Sequence, residues 1–138
     1  MNVYLDASVA VSATHRDALH ERAKAALGTL DDTPAMSTWV VAEFTSAATR
    51  LFRRGVVDHV GLDEMYDKFR ELTEAAIMIQ VVDDDIMEAA RIVKASIGGM
   101  RAPDALHLAI CKRLSLPILT FDQRMAGGAR SIGLTAIE

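Results

Sequence analysis

The chain is predicted to fold as an α/β protein, a three-layer α/β/α sandwich around a central, mainly parallel sheet of about 4–5 strands. Three observations predict this. Short apolar runs alternate with longer stretches of helical period along most of the sequence. One or two extra helical stretches stand between some of the runs, which suits right-handed crossovers with helices on both faces of a parallel sheet. Acidic residues directly follow several of the runs, Asp6 and Asp122 among them, at the strand ends where open α/β sheets build their sites.

The elements follow in order. Asn2 to Leu5 reads as a short buried strand ending on Asp6, with Ala7 and Ser8 in the turn and Val9 to Ala13 opening a helical segment. Asp17 to Leu30 is an amphipathic helix with Leu19, Ala23, Ala26, Leu27 and Leu30 on one side. After the turn Asp31 to Pro34, Ala35 to Ser37 is a second strand. Ser37 or Thr38 can cap the helix Trp39 to Arg54, which Gly55 ends. Leu62 to Thr73 is a further amphipathic helix, its charged residues forming a solvated face. Ala76 to Val82 (AIMIQVV) is a buried third strand. Asp83, Asp84 and Asp85 suit the start of the next helix, which runs through Ile86, Ala89, Ala90, Val93 and Ile97 until Gly98 and Gly99 stop it. Pro103 opens another helix, with Asp104 in its first turn and Leu106, Ala109, Ile110 and Leu114 on the helical period. Leu116 to Phe121 is a strand buried on both faces, followed by Asp122. Gly127 and Gly128 form a loop, and Leu134 to Ile137 is the last strand.

Size and composition narrow the possibilities. At 138 residues with 51% apolar content, the chain is expected to form one packed domain over residues 1–138. No apolar run approaches the roughly 18 residues that span a bilayer. No basic leader precedes the first strand, so a cytoplasmic location is expected. The single cysteine, Cys111, excludes an internal disulfide framework and suits a buried position among apolar neighbours. Net charge is −4, from 19 acids against 15 Lys plus Arg. If four acids hold a metal, the remaining surface is neutral, so charge does not decide against a nucleic-acid partner.

Four acids stand at comparable places: Asp6, Glu43, Asp104 and Asp122. Two follow strands and two lie early in helices, so one sheet edge can gather them. Each has a structural alternative. Asp6 can serve only as a helix cap, and Glu43 can reach solvent from a narrow stripe with Ser46 and Arg50. Crowded carboxylates repel unless they are protonated or metal-bound. Hard oxygen ligands without thiolates or paired histidines point to Mg²⁺ or Mn²⁺, and so to metal-assisted hydrolysis of a phosphodiester. Ser8 and Thr120 lie two residues from Asp6 and Asp122, where their hydroxyls can orient a carboxylate or bond locally to backbone. Arg101 and Arg124 lie within three residues of a site acid and are the favoured RNA contacts. His107 follows Asp104 by one turn and can touch the site, but it reads first as a packed or solvated side chain. The sequence holds no GxGxxG, no Walker lysine loop and no GxSxG elbow.

DAS at Asp6 to Ser8, the isolated Glu43, RAPDALHLAI from Arg101 and TFDQRM from Thr120 together resemble the PIN-domain family, more narrowly the VapC-type toxins of toxin–antitoxin pairs. The likeness runs in order over nearly the whole chain. It implies a PIN-like fold with Asp6, Glu43, Asp104 and Asp122 as metal-binding acids, Asp6 and Asp104 foremost, and Ser8 and Thr120 in support. It also implies an Mg²⁺- or Mn²⁺-dependent ribonuclease, usually homodimeric and held inactive by a small antitoxin. Met125 departs from the family, which often carries a bulky aromatic there. Two other readings stay open. One is a receiver-like Mg²⁺-binding signalling domain, although Asp6 is unpaired and no Lys follows the last strand. The other is a non-catalytic PIN-like RNA-binding module.

Overall fold

The computed structural model describes residues 1–96 and 98–138. Among these, five short strands and seven helices form: β1 (Tyr4–Leu5), α1 (Ala7–Thr14), α2 (His20–Gly28), β2 (Ala35–Ser37), α3 (Thr38–Arg53), α4 (His59–Ala75), β3 (Ile77–Ile79), α5 (Asp83–Ala95), α6 (Ala102–Leu114), β4 (Ile118–Leu119), α7 (Gln123–Ser131) and β5 (Ala136–Ile137). The strands pair in the order β3-β2-β1-β4-β5, and every pair is parallel. The chain winds outward from β1 to β3, crosses back to β4, and winds the other way to β5. With right-handed crossovers, that reversal sends α1–α4 to one face and α5–α7 to the other. Packing agrees: α1 lies against α2, α3 and α4, whereas α6 lies between α5 and α7. The result is the expected three-layer α/β/α sandwich.

The reversal falls between β1 and β4. Their side-by-side carboxyl ends form the crevice where a doubly wound sheet offers a binding site. The core beneath is made by Tyr4, Leu5, Met36, Ile118 and Leu119, all fully buried. On α6 every residue from Ala105 to Cys111 is buried, so this helix has no solvent face along its middle. Cys111 is one of those core residues, as expected.

Several expected boundaries and environments differ from those observed. The third strand is not buried: it is the sheet edge, shorter than expected, with Ile77 43% and Met78 39% exposed. Of its apolar run, Ala76, Ile79 and Val81 pack partly buried against the core. Ile86 and Leu114, expected to face inward, are exposed, while Asp85 takes a buried place beside Ala89 and Ile92. Gly127 and Gly128 are not a loop but lie inside α7. A Cβ on Gly128 would fall 2.0 Å from Met100 Cε, so this glycine lets the helix pack closely. Ala7 and Ser8 are already helical, because Asp6 caps α1 by accepting from Val9 N–H. Asp17 accepts from Leu19 N–H and Ser12 Oγ–H, which makes a turn and delays α2 to His20. Asp58 caps α4 through Gly61 N–H, so that helix starts before Leu62. Ile97, expected to end the α5 pattern, lies outside the described residues.

Candidate active site

The site grows from the two strand ends. Asp6 leaves β1 and caps α1, with its side chain almost wholly buried. Oδ1 accepts from Ser8 Oγ–H at 2.6 Å and Val9 N–H at 3.2 Å, and Oδ2 accepts from Thr120 Oγ–H at 2.5 Å. Each hydroxyl also accepts a backbone N–H from beyond β4: Phe121 to Ser8 Oγ at 3.2 Å, and Asp122 to Thr120 Oγ1 at 3.1 Å. Ser8 and Thr120 thus tie the ends of β1 and β4 together through one carboxylate. The local backbone bond expected of such hydroxyls is made by Thr120, whereas the backbone partner of Ser8 is 113 residues away. Burial pushes the Asp6 carboxyl above the usual range; the Ser8 and Thr120 bonds oppose the shift without reversing it.

Asp122 caps α7, accepting from Arg124 N–H at 2.8 Å and Met125 N–H at 3.1 Å, and remains exposed. Asp104 stands half-buried in the first turn of α6. Burial raises its carboxyl above the usual range, and the charges of Asp122 and Glu43 raise it further; His107 and Arg101 act the other way. The three acids therefore share one field. Glu43, on α3, is bonded to His107 Nε2 at 2.5 Å and is only 24% exposed, which removes the reading of a solvent-reaching stripe. His107 is packed, but its bond to Glu43 was not foreseen. Nor was the chain behind it, where Tyr4 Oη lies 2.7 Å from both His107 Nδ1 and Ser37 Oγ. The only sequence signal was that His107 sits one turn beyond Asp104.

Arg101 and Arg124 are both exposed, at the starts of α6 and α7. The acidic run at 83–85 plays the structural role expected of it: Asp85 accepts from Val82 N–H at 3.0 Å and pairs with Arg113.

Among the described residues, no three carboxylate, imidazole or thiol groups converge closely enough to cage a metal ion. Nor do Asp6, Asp104 and Asp122 make a salt bridge there. This donor set fits an ion that keeps most of its water and takes one or two carboxylates, which is the habit of Mg²⁺. It does not fit a closed structural site.

Comparison with known proteins agrees with the fold. No curated protein matches the chain in sequence. Among solved structures it is similar to the Mycobacterium tuberculosis toxin VapC20, a sarcin–ricin loop cleaving toxin (TM-score 0.76, 18% identity, 99% of each chain covered). FitAcB from Neisseria gonorrhoeae is similar at TM-score 0.74 and 18% identity, over 99% of this chain and 96% of that one. VapBC2 from Rickettsia felis, bound to a DNA fragment from its promoter, is similar at TM-score 0.73 and 14% identity, over 99% of this chain and 98% of that one. The PIN domain family profile matches residues 3–130. That match runs from the start of β1 into α7 and takes in all four acids, and on it the chain belongs to the PIN domain family.

Proposed function

We propose that this chain is a metal-dependent endoribonuclease, the toxin of a type II toxin–antitoxin pair. The carrying observation is that Asp6 and Asp122 follow the adjoining ends of β1 and β4, at the sheet's switch point, with Asp104 close enough to feel the charges of Asp122 and Glu43. Family membership supports it and leaves the receiver-like reading without a basis.

In this reading Asp6 and Asp104 hold Mg²⁺ or Mn²⁺, with Asp122 and Glu43 as the remaining acids. A bound ion would lower the pKa of a coordinated water and offset charge building on the phosphate. The chain's own residues do the rest. Ser8 and Thr120 fix Asp6 from both sides, so its carboxylate cannot swing away. Arg101 and Arg124 flank the acids and are suited to meet phosphates, keeping an anionic substrate beside an anionic pocket.

The partners follow from the same reading: RNA as substrate, and a small antitoxin whose Arg could lie on the carboxylates. A homodimer is supported by an apolar groove of about 570 Å³ lined by Trp39, Val81, Ile86, Ala90, Pro103 and Leu106. The groove holds Trp39, whose Nε1 has no hydrogen-bond partner among the described residues. No described helix is long and apolar enough to cross a membrane, and we place the activity in the cytoplasm.

The test is cleavage of total RNA with Mg²⁺, Mn²⁺ or chelator, beside Asp6→Asn purified identically. Discrete metal-dependent products from the wild type alone support the reading. Tight RNA binding without turnover in saturating Mn²⁺ would replace it with a non-catalytic module.

A further inference from the structure

A buried chain of polar groups crosses the core behind the acids. Ser37 stands at the N-cap of α3, where a serine side chain ordinarily accepts from the first free N–H groups of the helix. Here it makes no capping bond. Its Oγ instead lies 2.7 Å from Tyr4 Oη, which lies 2.7 Å from His107 Nδ1, and His107 Nε2 lies 2.5 Å from Glu43 Oε2. Ser37, Tyr4 and His107 are all fully buried. The chain joins β2, β1, α6 and α3 in one line, and only its Glu43 end reaches the site.

The donor order follows from chemistry. An ionised Glu43 has no proton to give, so Nε2 carries the hydrogen and donates. In a neutral imidazole Nδ1 then accepts, and its donor is the Tyr4 hydroxyl. Burial raises the Tyr4 phenol far above its ordinary value, so that hydroxyl keeps its proton. The Tyr4 oxygen in turn accepts from Ser37. Every link has one donor and one acceptor, which is the satisfied form of a buried network. A helix cap has been given up to complete it.

We propose that His107 is a positioning residue, holding Glu43 Oε2 in one orientation through the relay from Ser37 and Tyr4; its catalytic meaning rests on the nuclease reading above. The orientation of Glu43 is then set from the core and not by solvent. The same imidazole links α6, which carries Asp104, to α3, which carries Glu43, so the spacing of two site acids depends on it.

The test compares His107→Phe with His107→Gln on an RNA that the wild type cuts. His107→Phe keeps a ring of similar bulk but removes the donor, and kcat is expected to fall about 10- to 100-fold with KM little changed. His107→Gln restores an N–H at the reach of Nε2 and recovers most of that loss. In a Glu43→Gln background, His107→Phe is expected to cost nothing further. Equal impairment by Phe and Gln, or the same proportional loss with and without the Glu43 carboxylate, overturns the assignment. A second measurement does not need cleavage: long-range proton–nitrogen correlation of the imidazole. It should show the proton on Nε2 and a shift of that nitrogen in Glu43→Gln. A bare Nε2 in the wild type overturns the relay. A wild type that cuts no RNA would defeat the nuclease reading, and the nitrogen spectrum then decides the relay alone.

Discussion

Removing the guanidinium of Arg113 should be among the most damaging changes outside the site. Asp85 sits at the start of α5 with its side chain 1% exposed. Arg113, near the end of α6, grips it with Nε at 2.7 Å and Nη2 at 2.9 Å. Asp85 Oδ2 also accepts Val82 N–H at 3.0 Å, so the carboxylate closes the helix start as well as the helix pair. Breaking one side of a buried pair strands the other charge and typically costs about 3–5 kcal/mol. Arg113 is 32% exposed, so water can partly replace it, and we place Arg113→Met at about 2–3 kcal/mol. Against a total of about 5–15 kcal/mol this is a large fraction. At this chain length it corresponds to a fall in Tm of roughly 6–15 °C. Arg113→Lys should recover only part, since an ammonium cannot span both oxygens. Replacing both partners, Asp85→Asn with Arg113→Met, should restore most of the stability, because no buried charge remains and the amide oxygen can still accept Val82 N–H. Urea unfolding of the four proteins measures this. A loss below about 0.5 kcal/mol for Arg113→Met, or a double variant less stable than the single, would refute the buried-charge argument.

Other outcomes are expected from the same structure. The raised Asp6 carboxyl means the folded state holds its proton more tightly than the unfolded chain. Its charge therefore destabilises the fold as pH rises from the ordinary carboxylate range towards the raised value, and the penalty is complete above it. In chelator, Asp6→Asn should gain on the wild type as pH rises above the ordinary carboxylate range; a gap that moves the other way in denaturant melts would contradict the burial argument. Gly127→Ala meets open space inside a helix and should stabilise by about 0.5–1 kcal/mol. Gly128→Ala pushes on the flexible ends of Met100 and Leu108, which must shift, so paired thermal melts should show it gaining less than Gly127→Ala. Thr120→Val removes a donor to Asp6 and an acceptor for Asp122 N–H. It should cost about 1–3 kcal/mol in unfolding experiments and lower any metal-dependent cleavage.

The four candidate acids stand out in the sequence because their positions carry meaning before any contact is known. Asp6 and Asp122 follow apolar runs, Asp104 follows a helix-opening proline, and Glu43 sits on an apolar helix without a nearby partner. The layer order and parallel pairing followed from alternation alone. Periodicity says nothing, however, about where in the sheet a strand lies. AIMIQVV is as apolar as a central strand, yet it supplies the edge. Gly127 and Gly128 have the composition of a break, but a close approach to Met100 made helix the better use of Gly128. The Glu43–His107 bond joins residues 64 apart and the Tyr4–His107 bond residues 103 apart. No local pattern reports such a pairing, because it joins elements that the fold brings to the same sheet edge from opposite faces.

The tie between Asp6 and Thr120 spans 114 residues, from almost the first strand to almost the last. A chain emerging from the ribosome carries Asp6 and Glu43 early, but it has no second strand end to complete the crevice. Pairing of β4 with β1 must wait until nearly nine-tenths of the polypeptide has been made, and Asp122 arrives only then. Contacts of such long range also close slowly, after their loop entropy has been met. Synthesis itself therefore imposes a delay. A copy that stops short of β4 lacks Thr120 and Asp122, and with them one side of the crevice.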